Sequence, residues 1–144
     1  MPSLTSKSPD LSLEGPIVDV HFIISAELED LFKSENKTIP EPVPVRALID
    51  TGASHSVISA EIPEKLGLKP VGSIKINTPS SENHECYQYF MRVLLPAHNL
   101  IYNGVFTAAP LKGQNISCLI GRDMLKDGIF IYIGYDNSFT LSLA

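Results

Sequence analysis

Ala47-Leu48-Ile49-Asp50-Thr51-Gly52-Ala53-Ser54 is the stretch on which the fold turns. An apolar run stops there at a small, acidic, turn-forming cluster. Val43 to Ile49 predicts a strand, and Gly52 supplies a sharp bend that a side chain would obstruct. A strand that ends in so tight a loop presents one carboxylate, that of Asp50, in a cleft.

Upstream, Pro16 to Ser25 predicts another strand, with Val18, Val20, Phe22 and Ile24 on one apolar face and Ile17, Asp19, His21 and Ile23 on the other. Glu27 to Asn36 has Leu28, Leu31 and Phe32 at helical spacing and fits either a short helix or a surface excursion; Pro40, Pro42 and Pro44 then enforce extended backbone. Residues 1–15, rich in Ser, Pro and charge, are expected to be a flexible leader ahead of a single domain over 16–144.

Downstream, Ser56 to Leu68 predicts a short helix that starts near Ser59 or Pro63 and ends at Gly67. Ser73 to Thr78 and Tyr87 to Leu95 flank a polar, turn-rich segment and predict a hairpin. Leu100 to Ala109 and Ile116 to Ile120 are further strands. A short helix, Asp123 to Lys126, follows with Asp123 as its cap. Gly128 to Gly134 and Ser138 to Leu143 form a last hairpin around Tyr135-Asp136-Asn137. The sum is a mostly β domain with two or three short helices.

At 144 residues, 44% hydrophobic and 19% charged, the chain fits one globular core. Its net charge of -5 and scattered Lys and Arg argue against nucleic acid as a partner. No apolar stretch approaches the roughly 20 residues that span a bilayer, and the leader lacks the apolar segment of a secretory signal, so a cytoplasmic setting is expected. Asn36-Lys37-Thr38 and Asn115-Ile116-Ser117 match the glycosylation acceptor pattern, which has no consequence without secretion. Cys86 and Cys118 have no spacing signature and are expected to be small buried hydrophobes. His21, His55, His84 and His98 lie at no metal-ligand spacing, so neither metal nor cofactor is expected.

Leu48-Ile49-Asp50-Thr51-Gly52-Ala53, with Cys118-Leu119-Ile120-Gly121-Arg122-Asp123-Met124-Leu125 downstream, resembles the retropepsin-like aspartic proteases over about the whole segment from Val18 to Leu143. The resemblance implies a closed β-barrel of the acid-protease type with one lobe per chain. It also implies that Asp50, Thr51 and Gly52 form the catalytic loop of an aspartic endopeptidase. One Asp-Thr-Gly in a chain too short for two lobes then requires the second carboxylate from an identical subunit, hence a homodimer acting on a peptide or protein substrate.

By the same resemblance, Thr51 would brace the two loops across the dimer, Ala53 and Ser54 would border the substrate, and the hairpin tip at Thr78, Pro79, Ser80 and Ser81 would cover it. Gly121 would pack where two chain segments cross, supported by Arg122 and Asp123. In relatives this arginine pairs with an acidic residue just after the catalytic loop; here Ser54 and His55 stand there, and the partner of Arg122 is open. Asp50-Thr51-Gly52 taken alone also fits a plain strand-ending turn. A catalytically silent protease fold that docks an extended peptide by strand addition is the alternative function.

Overall fold

A computed structural model describes residues 1–78, 81–95, 99–111 and 115–144. Strand β2 (Ile17–Ile23) runs antiparallel to β3 (Val43–Ile49), pairing Ile17 with Leu48 and Phe22 with Val43. The alternation read from the sequence sets the burial: Val18, Val20 and Phe22 of β2, and Val43, Val45, Ala47 and Ile49 of β3, all lie in the core. The other faces stay half-buried or exposed.

The chain then makes β4 (Val57–Ile58), β5 (Gly72–Thr78), β6 (Ser81–Leu95), β7 (Leu100–Ala108) and β8 (Cys118–Ile120). Strand order is β2-β3-β8-β4-β7-β6, and β6 pairs back onto β2, which closes a six-stranded barrel with β5 added outside β6. Closure removes the exposed edges that an open sheet of these lengths would present. Phe22 and Phe106, both fully buried, meet edge to face at 5.1 Å inside it. Burial of each ring contributes about 1.5–3 kcal/mol.

Among the described residues four short α-helices decorate the barrel: α1 (Leu11–Glu14), α2 (Ala26–Ser34), α3 (Glu61–Lys65) and α4 (Arg122–Leu125). The ambiguous segment after β2 is thus a helix, capped by the Ser25 side chain accepting from Leu28 N at 3.2 Å. Arg92 of β6 anchors it, donating to Ile24 O and to Glu29 at 2.8 Å each. That hydrogen bond, followed by the charge of Lys33, holds the Glu29 carboxyl below its usual range. Among the described residues no helix is long and apolar enough to cross a membrane.

Three sequence expectations are corrected here. Residues 1–15 carry β1 (Ser3–Lys7) and α1, with Leu4 and Leu11 buried. β1 pairs with β10 (Ser138–Leu143), which pairs with β9 (Gly128–Ile133), in a separate sheet of order β1-β10-β9. Only Leu4 points inward on β1, too weak a pattern to read as a strand. The hairpin is also longer than expected: residues 81–86 belong to β6, where pairing with β5 satisfies the backbone of a polar segment. Finally, α4 begins at Arg122 with Gly121 as its N-cap, so Asp123 lies inside the helix rather than capping it.

Candidate active site

β8 lies between β3, to which it is parallel (Ile49 opposite Ile120), and β4, to which it is antiparallel (Val57 opposite Leu119). The chain leaves β3 at Asp50, loops outward, and returns as β4 on the other side of β8. This crossing places the sequence motif around Asp50 against the second motif around Gly121.

Asp50 is half-buried, and Thr51 and Gly52 are exposed. Asp50 N donates to Ile120 O at 2.9 Å, which extends the β3–β8 ladder by one step. Gly52 N donates to Asp50 Oδ1 at 2.9 Å, and Ala53 N donates to Asp50 O at 3.1 Å. The aspartate thereby folds its own loop, as Asp does in turns, and the bonded Oδ1 fixes the carboxylate plane. A Cβ on Gly52 would come within 3.1 Å of that same oxygen.

The loop is clamped from below by the second motif. Arg122 N donates to Ala53 O at 2.8 Å, and Arg122 Nη1 donates to Thr51 O at 2.6 Å. The open question of this arginine's partner therefore resolves to a backbone carbonyl of the loop. A Cβ at Gly121 would stand 2.8 Å from Ala53 O and from His55 C and O, all backbone atoms, so any side chain there displaces the loop.

Ser56, which sequence reasoning missed, completes the clamp. It is 1% exposed; its hydroxyl donates to Asp123 Oδ1 at 2.6 Å and accepts from Gly121 N at 2.9 Å. Its own N donates to Asp123 Oδ2 at 2.9 Å, and Met124 N donates to Asp123 Oδ1. The carboxylate of Asp123 is thus consumed in holding two distant segments together. Nothing local marks Ser56, because its partner is 67 residues away.

Ser54 and His55 are exposed at the outer end of the loop, with Ser54 Oγ 3.1 Å from His55 Nδ1. Thr78 and Ser81 oppose each other in the β5–β6 register, and Pro79 and Ser80 lie outside the described residues. The structure therefore brings Asp50, Thr51, Gly52, Ala53, Gly121, Arg122 and Asp123 together and leaves Thr78 and Ser81 on a separate element.

Arg46, Leu48 and Asp50 are successive half-exposed positions along β3 and just beyond its end, so they share one face. Arg46 and Leu48 line a cleft of about 370 Å³ with Leu13, Glu14, Ile17, Asn115 and Ile116. A second cleft of about 380 Å³ is lined by Thr51 of the loop with Arg122, Leu125, Lys126 and Phe130. Beneath the site, burial and then the charge of Asp123 push the Cys118 thiol far above its ordinary range, so it stays protonated and is no nucleophile. Burial likewise raises Cys86. Among the described residues no three His, Cys, Asp or Glu side chains converge as metal ligands would.

A closed six-stranded barrel whose Asp-Thr-Gly loop is gripped by a Gly-Arg-Asp turn defines an aspartic-protease domain of the retropepsin-like fold. Residues 38–127 match the profile of the family described as "gag-polyprotein putative aspartyl protease", and the chain belongs to that family. Among solved structures it is similar to a retropepsin-like aspartic protease from Rickettsia conorii, at 17% identity over 98% of this chain and 93% of that one, with a TM-score of 0.49. No curated protein matches the chain.

Proposed function

We propose that this chain is an aspartic endopeptidase that acts as a homodimer, with Asp50 of each subunit contributing one carboxylate to a shared site. A peptide carbonyl is a weak electrophile, so hydrolysis needs a base to activate water and an acid to protonate the carbonyl oxygen. Two carboxylates about 3 Å apart cannot both ionise and share one proton, for which aspartic proteases are the standing example. The ionised member takes a proton from water as the water oxygen attacks the carbonyl carbon. The protonated member gives its proton to the carbonyl oxygen, forming a tetrahedral diol; the carboxyl that took the water proton then gives it to the amide nitrogen, the C–N bond breaks, and the other carboxylate takes a diol hydroxyl proton, releasing an amine and an acid and restoring one shared proton.

The observation that carries this reading is the fixation of Asp50: its backbone is bonded to Ile120, its Oδ1 to Gly52 N, and its loop is braced by Arg122. Such bracing suits a group that must hold one orientation through a reaction. The cleft along Arg46 and Leu48, on the face that Asp50 continues, suits one side chain of an extended substrate. A cytoplasmic setting belongs to the same proposal, since Cys86 and Cys118 are both free thiols.

Digestion of a peptide library from pH 3 to 8 tests it. The parent should cleave, and Asp50→Asn should remain folded while losing cleavage by at least about 1,000-fold, as expected when the substitution replaces both members of the shared-proton pair, one in each subunit. Equal cleavage by the variant would remove the mechanism. Peptide binding without turnover by the parent at every pH would instead establish a silent docking module.

A further inference from the structure

The 370 Å³ cleft beside Arg46 and Leu48 has its other wall in the N-terminal segment, where Leu13 and Glu14 of α1 line it. α1 ends at Gly15, whose left-handed φ of 82° hands the chain on to β2. A Cβ there would come within 2.8 Å of Leu48 Cδ1, so the turn rests directly on the strand that leads to Asp50. Pro16 O accepts from Ile49 N at 3.0 Å and fixes this wall one residue before Asp50. Buried Leu11 anchors α1, whereas Leu13 stands 86% exposed at the cleft.

The cleft carries two opposite charges that do not meet. Among the described residues neither Arg46 nor Glu14 takes part in an ion pair. Arg46 faces Asp19 across the β2–β3 register, yet its side chain turns to Asn115, where Nη1 donates to the backbone O at a long 3.3 Å. A guanidinium holds five donors in a planar fork. Among the described residues most of this fork is therefore open to a ligand, beside apolar wall from Ile17, Leu48 and Ile116. Glu14 is exposed, where solvent screens its charge; Arg46 is half-buried and keeps more of its field.

We infer that Arg46 makes this cleft a subsite for a substrate side chain that carries a carboxylate on an aliphatic stem, so that the chain selects peptides with glutamate near the cut. A carboxylate meets the guanidinium fork through two parallel hydrogen bonds, a match that an amide or an ammonium cannot make. The two methylenes of glutamate lie against Leu48 and Leu13, where their burial adds to the pair. Arg46 stands four residues before Asp50, about 13 Å along β3 at about 3.3 Å per residue, which sets the glutamate within about four residues of the scissile bond. The subsite deepens the endopeptidase reading and rests on it for its functional consequence, whereas recognition of the carboxylate does not itself require cleavage.

Peptides cleaved in the library digest, resynthesised with Glu, Gln or Lys at each position flanking the cut, test it. At one position the parent should prefer Glu to Gln by about 10-fold or more in kcat/KM, as a charge-assisted pair predicts. Arg46→Met should bring that ratio close to one, and Arg46→Glu should turn the preference toward Lys. An arginine that only supports the fold would alter the rates for all three peptides alike and leave their ratio unmoved. If Arg46→Met fails to fold, Arg46→Lys decides: it keeps the charge but loses the fork, so the ratio should shrink, and an undiminished ratio counts against the subsite.

A parent with no preference for Glu at any position, or a folded Arg46→Met variant that retains the preference, overturns the subsite and leaves the aspartic mechanism standing. A preference for Lys that Glu14→Gln abolishes also overturns it, by assigning the cleft to cations. If the parent cleaves nothing, a fully degenerate peptide pool is incubated with it and the bound fraction sequenced. Enrichment of Glu over Gln that Arg46→Met removes then keeps the subsite while the endopeptidase reading falls, and no enrichment sinks the subsite as well.

Discussion

The Ser56 hydroxyl donates to Asp123 Oδ1 at 2.6 Å and accepts from Gly121 N at 2.9 Å, so a single buried oxygen joins the end of the Asp50 loop to the turn beneath it. Ser56→Ala deletes both bonds, orphans the Gly121 amide and leaves Asp123 with fewer donors. Stability should fall by about 1–3 kcal/mol, read as a lower urea midpoint with an unchanged slope. Cleavage should fall as well, because the loop that holds Asp50 loses its far anchor. An unaltered midpoint would show that the pair adds nothing net.

Gly121→Ala tests the crossing itself. Its Cβ would sit 2.8 Å from the carbonyl oxygens of both Ala53 and His55, which are backbone atoms and cannot rotate away. The loop must shift, at about 1–3 kcal/mol for an overpacked buried site. Because the displaced atoms are those that position Asp50, cleavage should fall more steeply than stability. A crystal structure of the variant should show residues 53–55 moved outward; an undisturbed loop would refute the steric argument.

The barrel and the Asp50 loop were legible where periodicity is strong. β2 and β3 alternate over seven residues each, and their inward sets match the buried positions. Gly121 was legible because its motif repeats a family pattern. Ser56, the partner of Arg122 and the pairing of β1 were not, because each depends on a contact across the chain: Arg122 reaches Thr51 over 71 residues, and Thr5 meets Thr140 over 135. A two-residue strand such as β4 has no period to detect. The polar segment 81–86 looks like a turn because side-chain polarity reports solvent exposure, whereas its strand state comes from backbone pairing with β5.

The β1 docking carries a pH signature. Hydrogen bonds from Lys7 and Ser138, with the charge of Lys7, hold Asp136 below its ordinary 3.8. A carboxyl depressed in the folded state contributes stability that is fully present above the unfolded value and is lost as pH falls through the folded one. Lys7→Met should therefore lower Tm slightly at pH 7, the pair being exposed, and the gap between parent and variant should close as pH falls below 3.8 and through the depressed folded value. A gap that stays constant across the whole acid range in which both proteins still fold would mean that Lys7 acts through packing instead.

Arg122 separates bracing from folding. Its side chain is exposed and reaches Thr51 O at 2.6 Å, while its backbone N independently holds Ala53 O at 2.8 Å. Arg122→Ala keeps the backbone bond, so stability should drop by only about 1 kcal/mol or less, as for other exposed charged contacts. Thr51, next to Asp50, loses its only side-chain tether among the described residues, and kcat/KM should fall by about 10-fold or more. Arg122→Lys should recover part of this, since an ammonium still donates to one carbonyl but lacks the planar fork that fixes its direction. The decisive comparison is kcat/KM against the urea midpoint across the three proteins. If activity tracks stability in strict proportion, the guanidinium only holds the fold together; if activity falls while the midpoint stays, it orients the loop that carries Asp50.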